Sequence, residues 1–132
     1  MPRPRHEHPT PAELEVLKIL WERGPGTVRE VMEVLRKQGK RRAYTTVMSL
    51  LNVMTDKGLL SRKPQGRAFL YSPKAGQERT LRRLVGDLLG RVFEGQASAL
   101  VAHLLEQAEP TPEELDEIHK TLEAYKQEKE GT

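Results

Sequence analysis

A stretch near the middle of the chain carries uncharged side chains at spacings that suit contacts with the edges of bases. If a helix covers about residues 44–57, its outward side presents Tyr44, Thr45, Thr46, Met48, Ser49 and Asn52. An asparagine amide can pair with adenine through one donor and one acceptor, and threonine or methionine can contact a thymine methyl group. Hydroxyls near a helix N-terminus can also hold a phosphate. The stretch therefore predicts a surface that reads double-stranded DNA.

Cationic side chains flank this stretch on both sides. They are Lys40, Arg41 and Arg42 before it and Arg62, Lys63 and Arg67 after it. Their expected role is to neutralise phosphates, and Arg67 is also a candidate for contact with the minor groove. A basic loop or a polar helix face alone is common on protein surfaces, so the prediction depends on the two features together.

Basic and acidic residues are distributed unevenly along the whole chain. Residues 1–74 contain 15 Lys and Arg against 7 Asp and Glu, whereas residues 75–132 contain 7 against 12. The basic first part favours a polyanionic partner. The acidic second part is more typical of a protein–protein surface.

Several other chemistries are excluded or disfavoured. The 132 residues contain no cysteine, which excludes disulfide frameworks, cysteine nucleophiles and cysteine-ligated metals. The chain has no nucleophile elbow, phosphate-binding glycine loop or metalloprotease motif. Asp116 and His119 have a helical ligand spacing but no evident further ligands, and His6 and His8 lie in a Pro/Arg-rich leader. We therefore expect no enzyme, no cofactor and no metal site.

The hydropathy of the chain argues against a membrane. No apolar run approaches the roughly 18 residues of a spanning helix, and the first residues lack the apolar core of a signal peptide. We expect a cytoplasmic protein with no membrane insertion.

Three helices and a hairpin are predicted to position the DNA-facing residues. Thr10–Glu13 and Thr27–Glu30 are capping boxes that begin the first two helices, which end at Gly24 and Gly39. The third helix turns Val47, Leu50, Leu51 and Met54 inward, and short strands over residues 59–62 and 68–72 flank a loop over residues 63–67. This order is that of a winged helix-turn-helix, whose third helix enters the major groove.

The remaining residues predict three more helices. The first carries a long apolar stripe and ends near Gly95, the second covers about residues 97–107, and Thr111–Glu114 is a capping box that opens the last. Three such helices are too small to close a core alone, so we expect them to pair with a second copy. The residues predicted to form this homodimer interface are Leu81, Leu84, Val85, Leu88, Leu89, Val92, Leu100, Leu104, Leu115, Ile118 and Leu122.

The predicted fold class is mainly α with a small β-hairpin wing. It divides into a flexible leader over residues 1–9, a winged helix-turn-helix DNA-binding domain over residues 10–74 and a three-helix dimerisation domain over residues 75–132.

Several segments resemble those of one family of regulators. They are Glu13–Trp21 (ELEVLKILW), Ala43–Met48 (AYTTVM) followed by Lys57-Gly58, Gly66–Tyr71 (GRAFLY) and Ala99–Glu106 (ALVAHLLE). In this order and spacing they resemble the BlaI/MecI penicillinase repressors. The resemblance implies a homodimeric repressor on an inverted-repeat operator with TACA/TGTA-like half-sites, which controls β-lactam-response genes.

The resemblance also implies a mode of induction. In such systems a membrane sensor metalloprotease responds to β-lactam, and the repressor is cleaved in its tail, which weakens dimerisation. The matching bond of this chain is His103–Leu104, where staphylococcal members have Asn-Phe.

Two alternative functions remain open from the residues alone. One is a winged helix that binds an acidic protein partner, for which Tyr44 and Met48 offer apolar contacts. The other is a repressor released by a small-molecule ligand at the dimer interface. Thr45, Ser49 and Asn52 favour base contacts over protein docking.

Overall fold

A computed structural model describes residues His8–Gly131. Most of the predicted leader, including His6, therefore lies outside the described residues. The described chain contains six helices and two strands. In chain order they are α1 (Pro11–Arg23), α2 (Val28–Lys37), α3 (Tyr44–Asp56), β1 (Leu60–Gln65), β2 (Ala68–Pro73), α4 (Gln77–Arg91), α5 (Ala97–Ala108) and α6 (Pro112–Glu130). The predicted fold class, mainly α with a hairpin wing, is confirmed.

The first two helices begin at the predicted capping boxes. The Thr10 hydroxyl accepts the Glu13 N–H at 3.2 Å, and the Glu13 carboxylate accepts the Thr10 N–H at 2.9 Å. Thr27 and Glu30 repeat this exchange at 3.3 and 2.9 Å. Each box satisfies donors that the first helical turn leaves without intrahelical partners, which fixes where the helix starts.

Glu13 also forms a buried ion pair that the capping pattern alone does not indicate. Lys57 Nζ lies 2.6 Å from Glu13 Oε1, and the two side chains are only 4% and 3% exposed. Burial by itself raises the pKa of the Glu13 carboxyl, but hydrogen bonds from Lys57 and Thr10 outweigh it, so the pKa is lowered. Because Lys57 caps the C-terminus of α3, the pair fixes the end of α3 against the start of α1.

The core of the winged helix-turn-helix lies between α1, α2, α3 and the hairpin. Apolar residues at helical spacing on each helix are buried together with one residue from each strand. These buried residues are Val16, Leu17, Ile19, Leu20, Val28, Val31, Leu35, Val47, Leu51, Met54, Leu60 and Tyr71. Leu50, predicted to face inward, is only half-buried, because it lies beside the core in an apolar groove.

The wing is a tighter hairpin than predicted. β1 and β2 pair antiparallel from Leu60↔Pro73 to Gln65↔Ala68, so the predicted loop over residues 63–67 is reduced to a turn at Gly66 and Arg67. Gly66 adopts φ +63°, which a two-residue hairpin turn requires and glycine adopts readily. Pro64 is tolerated because β1 is an edge strand, where the missing N–H breaks no ladder bond to a further strand.

Two hydrogen-bonded contacts attach the wing to the helices. The Tyr71 N–H donates to the Gly26 carbonyl at 2.8 Å, and the Gly26 N–H donates to the Tyr71 carbonyl at 3.0 Å. Trp21 Nε1 donates to the Ala75 carbonyl at 3.0 Å, just after β2. The backbone of β2 is therefore held firmly next to α1 and the start of α2.

The last three helices form at the predicted places, with two corrections. α4 ends at Arg91, so Val92 and Phe93 lie beyond the helix; Glu94 and Gly95 adopt positive φ, and the Gly95 N–H donates to the Leu89 carbonyl at 2.8 Å. At α6, the Thr111 hydroxyl accepts the Glu114 N–H at 3.1 Å, but the second half of the predicted capping box is not formed.

The described residues divide into two compact units, with the boundary between Val85 and Gly86 inside α4. The domain boundary predicted after residue 74 lies just before α4. The division into a DNA-binding domain and a dimerisation domain stays a prediction. Between His8 and Gly131, no helix is both long and apolar enough to cross a membrane.

Candidate nucleic-acid interface

The α3 side chains predicted to face DNA lie on two sides of the helix. Tyr44, Met48 and Asn52 follow one another at intervals of four residues and line a cleft between α3 and the wing. Thr46 and Ser49 line an apolar groove beside α1 and α2. Thr45 lies on the exposed face between the two sets. The six residues therefore form a continuous band around α3, of which Met48 and Asn52 are half-buried.

The cleft beside the wing, which we call the wing cleft, has a volume of about 260 Å³. Its walls combine one side of α3 with a cation from α2 and with cations and aromatic rings from the wing. The lining residues are Thr27, Val28, Arg29, Tyr44, Met48, Asn52, Arg62, Arg67, Ala68, Phe69 and Tyr71. An open, cationic cleft of this kind can accept a phosphodiester or the edge of a base.

Within the wing cleft, the Asn52 amide is held by two donors. Arg62 Nη1 and the Tyr71 hydroxyl each donate to Asn52 Oδ1 at 2.9 Å. The Arg62 guanidinium also lies over the Phe69 ring, 4.3 Å from its centroid. Arg62, predicted to contact phosphate, thus contacts Asn52 of α3 and Phe69 of the wing in this structure.

Two of the three cations that precede α3, Lys40 and Arg42, lie beside the Glu15 carboxylate. Lys40 Nζ lies 2.8 Å from Glu15 Oε1, and Arg42 Nη2 lies 3.7 Å from Glu15 Oε2. The hydrogen bond from Lys40, more than the nearby charges, lowers the pKa of Glu15. Exposed ion pairs of this kind are weak, so a phosphate can replace Glu15 at little cost.

A second basic surface was missed by the sequence analysis. Arg29 and Arg36 lie two turns apart on α2. Together with Arg41 and Arg42 they line an open cavity of about 500 Å³, which we call the arginine concavity. Glu33 is bound there by Arg36 at 2.6 Å. Arg29 also lies 5.5 Å from the Tyr44 ring centroid and lines the wing cleft, so the two basic surfaces adjoin. The seven-residue spacing of the two arginines was the available signal.

The predicted interface of the tail is exposed in the described chain. The more exposed side chains, between 36% and 64% accessible, are Leu81, Val85, Leu88, Val92, Leu104, Leu115, Ile118 and Leu122. Leu84, Leu89 and Leu100 are half-buried. Val101 on α5 and Tyr125 on α6 are exposed as well.

The matching cleavage bond, His103–Leu104, lies on α5 with both residues exposed. The His103 ring contacts the Phe93 ring, with centroids 5.4 Å apart. Among residues 8–131, no group of three His, Asp or Glu side chains is placed to hold a metal ion.

Comparison with known families connects this arrangement to a class of proteins. The profile of the penicillinase repressors matches residues 9–124, which includes the winged helix-turn-helix and most of the tail. The chain belongs to the penicillinase repressor family. The resemblance inferred from the sequence segments is thus confirmed.

Individual members of the family match over most of their length. The penicillinase repressor of Bacillus licheniformis is 29% identical and covers 89% of this chain and 91% of its own. Transcriptional regulator BlaI of Mycobacterium tuberculosis is 32% identical, with 83% and 79% covered. Methicillin resistance regulatory protein MecI of Staphylococcus aureus is 22% identical, with 84% and 89% covered.

Among solved structures, transcriptional regulator Tm0710 from Thermotoga maritima matches with a TM-score of 0.48 and 21% identity, covering 92% of this chain and 76% of that one.

Membership of the penicillinase repressor family makes this chain a transcriptional repressor and not an enzyme. DNA is the partner of such a repressor.

Proposed function

We propose that this penicillinase repressor family member is a homodimer that binds an inverted-repeat operator with TACA/TGTA-like half-sites. The observation that carries the proposal is the band of uncharged side chains on α3 with basic surfaces next to it. Uncharged donors and acceptors can discriminate bases, whereas the cations beside them hold the phosphates.

Each part of the surface has a distinct role in this proposal. Thr45, Ser49 and Asn52 contact base edges in the major groove, while Tyr44, Thr46 and Met48 supply apolar and hydroxyl contacts next to them. The phosphates are neutralised by cations of the wing, of the segment before α3 and of α2. These cations are Arg62, Lys63, Arg67, Lys40, Arg41, Arg42, Arg29 and Arg36.

The homodimer is supported by the exposed apolar residues of the tail. α4, α5 and α6 have no buried side chain in the described single chain. Apolar patches on this scale usually mark an interface. A second copy would cover these residues and set two recognition helices about 34 Å apart, or a multiple of that distance, as a two-fold operator requires.

The proposal is tested by fluorescence anisotropy with two duplexes of equal length, one a TACA/TGTA inverted repeat and one scrambled. We expect a preference for the inverted repeat of about a thousandfold or more that persists when salt is raised. Weak and equal binding that disappears with salt would contradict a sequence-specific repressor. That result would favour the alternative in which the basic surface docks an acidic protein.

The turn of the wing allows a prediction about phosphate contacts. Arg67→Gln is expected to weaken binding to both duplexes and to reduce the slope of log affinity against log salt by about 1.8, because each protomer of the proposed homodimer loses one phosphate contact. Lys18→Gln is the matched control, since Lys18 is exposed on α1 beside Trp21 and Glu22, away from the wing cleft. An unchanged slope in Arg67→Gln would remove Arg67 from the phosphate contacts.

The proposed target genes and the proposed mode of induction are taken from the relatives of this chain. Their names, penicillinase repressor and methicillin resistance regulatory protein, support control of β-lactam-response genes. A membrane sensor metalloprotease would release the operator by cleaving at His103–Leu104, which is exposed on α5. A repressor of genes works where the DNA lies, so we place the protein in the cytoplasm.

A further inference from the structure

Asn52 lies on α3 with its amide oxygen turned toward the wing rather than toward solvent. We infer that Asn52 presents only its amide N–H groups to the operator and thus recognises a single hydrogen-bond acceptor on a base, not the donor–acceptor pair of adenine. This inference rests on the proposed DNA-binding function and specifies how one residue of that site selects its base.

The orientation of the amide is fixed by the chemistry of its partners. A guanidinium has donors only, so the Asn52 atom that faces Arg62 must be the oxygen and not the nitrogen. A carbonyl oxygen has two lone pairs, and Arg62 and Tyr71 occupy both at 2.9 Å. The oxygen therefore has no capacity left to accept the N6 amino group of adenine, which bidentate pairing requires.

The two donors are themselves held in place. Tyr71 is 2% exposed, and its backbone exchanges two hydrogen bonds with Gly26, so its hydroxyl is rigidly located. The Arg62 guanidinium is held over the Phe69 ring at 4.3 Å. The wing thus acts as a positioning element for a side chain on the recognition helix, and Arg62 and Tyr71 are positioning residues.

The remaining amide protons define what Asn52 can recognise. In the major groove the acceptors are N7 of either purine, O6 of guanine and O4 of thymine. A donor-only residue tolerates the loss of the adenine amino group but not the loss of the acceptor that it contacts.

The test uses the full-length protein and the inverted-repeat duplex with single-atom changes. In separate duplexes, each adenine is replaced by purine, which lacks the 6-amino group, or by 7-deazaadenine, which lacks the N7 acceptor. Each guanine is replaced by 7-deazaguanine or 6-thioguanine, and each thymine by 4-thiothymine. A modified base atom is assigned as a contact of Asn52 if its change lowers the affinity of the wild type but not the affinity of Asn52→Ala.

We expect an Asn52-dependent loss of about tenfold with at least one acceptor-modified duplex and with none of the 6-amino-deleted duplexes. An Asn52-dependent loss on removal of a 6-amino group overturns the inference, and so does the absence of any such loss with acceptor-modified duplexes. Trp21 fluorescence in a urea titration confirms that Asn52→Ala is folded, because Trp21 is the single tryptophan.

The outcome separates this inference from the proposed function. A wild-type protein that does not distinguish the inverted repeat from the scrambled duplex overturns the proposed function, and the inference with it. A retained preference together with a 6-amino effect overturns the inference alone.

A second pair of variants tests the positioning role. Tyr71→Phe keeps the ring and removes only the hydroxyl donor, which frees one lone pair of Asn52 Oδ1. We expect this variant to gain sensitivity to removal of a 6-amino group that the wild type lacks. Phe69→Leu removes the ring that supports Arg62 but leaves the Tyr71 hydroxyl. We expect this variant to gain less sensitivity to removal of a 6-amino group than Tyr71→Phe does. Identical base preferences in Tyr71→Phe and the wild type would contradict positioning by the wing.

Discussion

Lys57→Met is expected to lower the free energy of unfolding of the winged helix-turn-helix by about 3–5 kcal/mol. The substitution leaves the Glu13 carboxylate buried without its partner, since the two side chains are 3% and 4% exposed and joined at 2.6 Å. Urea unfolding followed by Trp21 fluorescence measures the change in this unit, because the single tryptophan lies on α1.

Two variants serve as controls for this prediction. In Glu13→Gln/Lys57→Met the uncompensated charge is absent and the amide can still accept the Thr10 N–H, so we expect part of the lost stability to return. Arg36→Gln breaks the exposed pair with Glu33, and we expect its urea midpoint to match that of the wild type. A double variant less stable than Lys57→Met would contradict the assignment of the cost to a buried charge.

The lowered pKa of Glu13 gives this prediction a pH dependence. A carboxyl whose pKa is lower in the folded than in the unfolded state contributes stability that is complete above the unfolded value. That contribution is lost as the pH falls through the folded value, which lies below the ordinary 4.5. We therefore expect the stability difference between wild type and Lys57→Met to narrow upon acidification below about pH 4.5. A difference that grows on acidification would contradict the lowered pKa.

Leu88→Asp is expected to convert the proposed homodimer into monomers and to reduce affinity for the inverted-repeat duplex by about a hundredfold or more. Leu88 is one of the exposed apolar residues of α4, and a carboxylate there would have to be buried without a partner on dimerisation. A monomer engages one half-site at a time and loses the gain from simultaneous binding. Light scattering measures the mass, and anisotropy measures the affinity.

The matched control introduces the same charge outside the apolar set. Ser98→Asp changes an exposed polar residue in the first turn of α5, where a carboxylate suits the helix dipole. We expect this variant to retain the mass and the operator affinity of the wild type. A Leu88→Asp protein that remains dimeric would mean that the interface lies elsewhere.

The local sequence was sufficient to predict the position of the elements. Capping boxes at Thr10 and Thr27 determine where α1 and α2 start, since their side chains satisfy backbone donors within three residues. The limits of the wing were harder to predict, because Pro64 looks like a strand breaker unless its strand is known to be an edge. The end of α4 likewise depended on the left-handed turn at Glu94 and Gly95.

The sequence was sufficient to predict which α3 residues lie at the candidate interface, but not which other residues they contact. Thr45, Ser49 and Asn52 were placed on the outward side of α3 by helical periodicity alone. Periodicity does not indicate that Arg62 and Tyr71 of the wing reach Asn52, because these contacts join residues ten and nineteen positions apart. The same holds for Arg29, which meets Arg41 and Arg42 only once α2 and α3 are packed.

By itself, the sequence determined the order of helices and strands, the basic character of the first part of the chain and the family, because these depend on local patterns and on composition. Only the tertiary structure decided that Glu13 and Lys57 form a buried pair and that the wing orients the Asn52 amide. Such contacts form between residues far apart in the chain, and their geometry depends on how whole elements pack, which no local pattern contains.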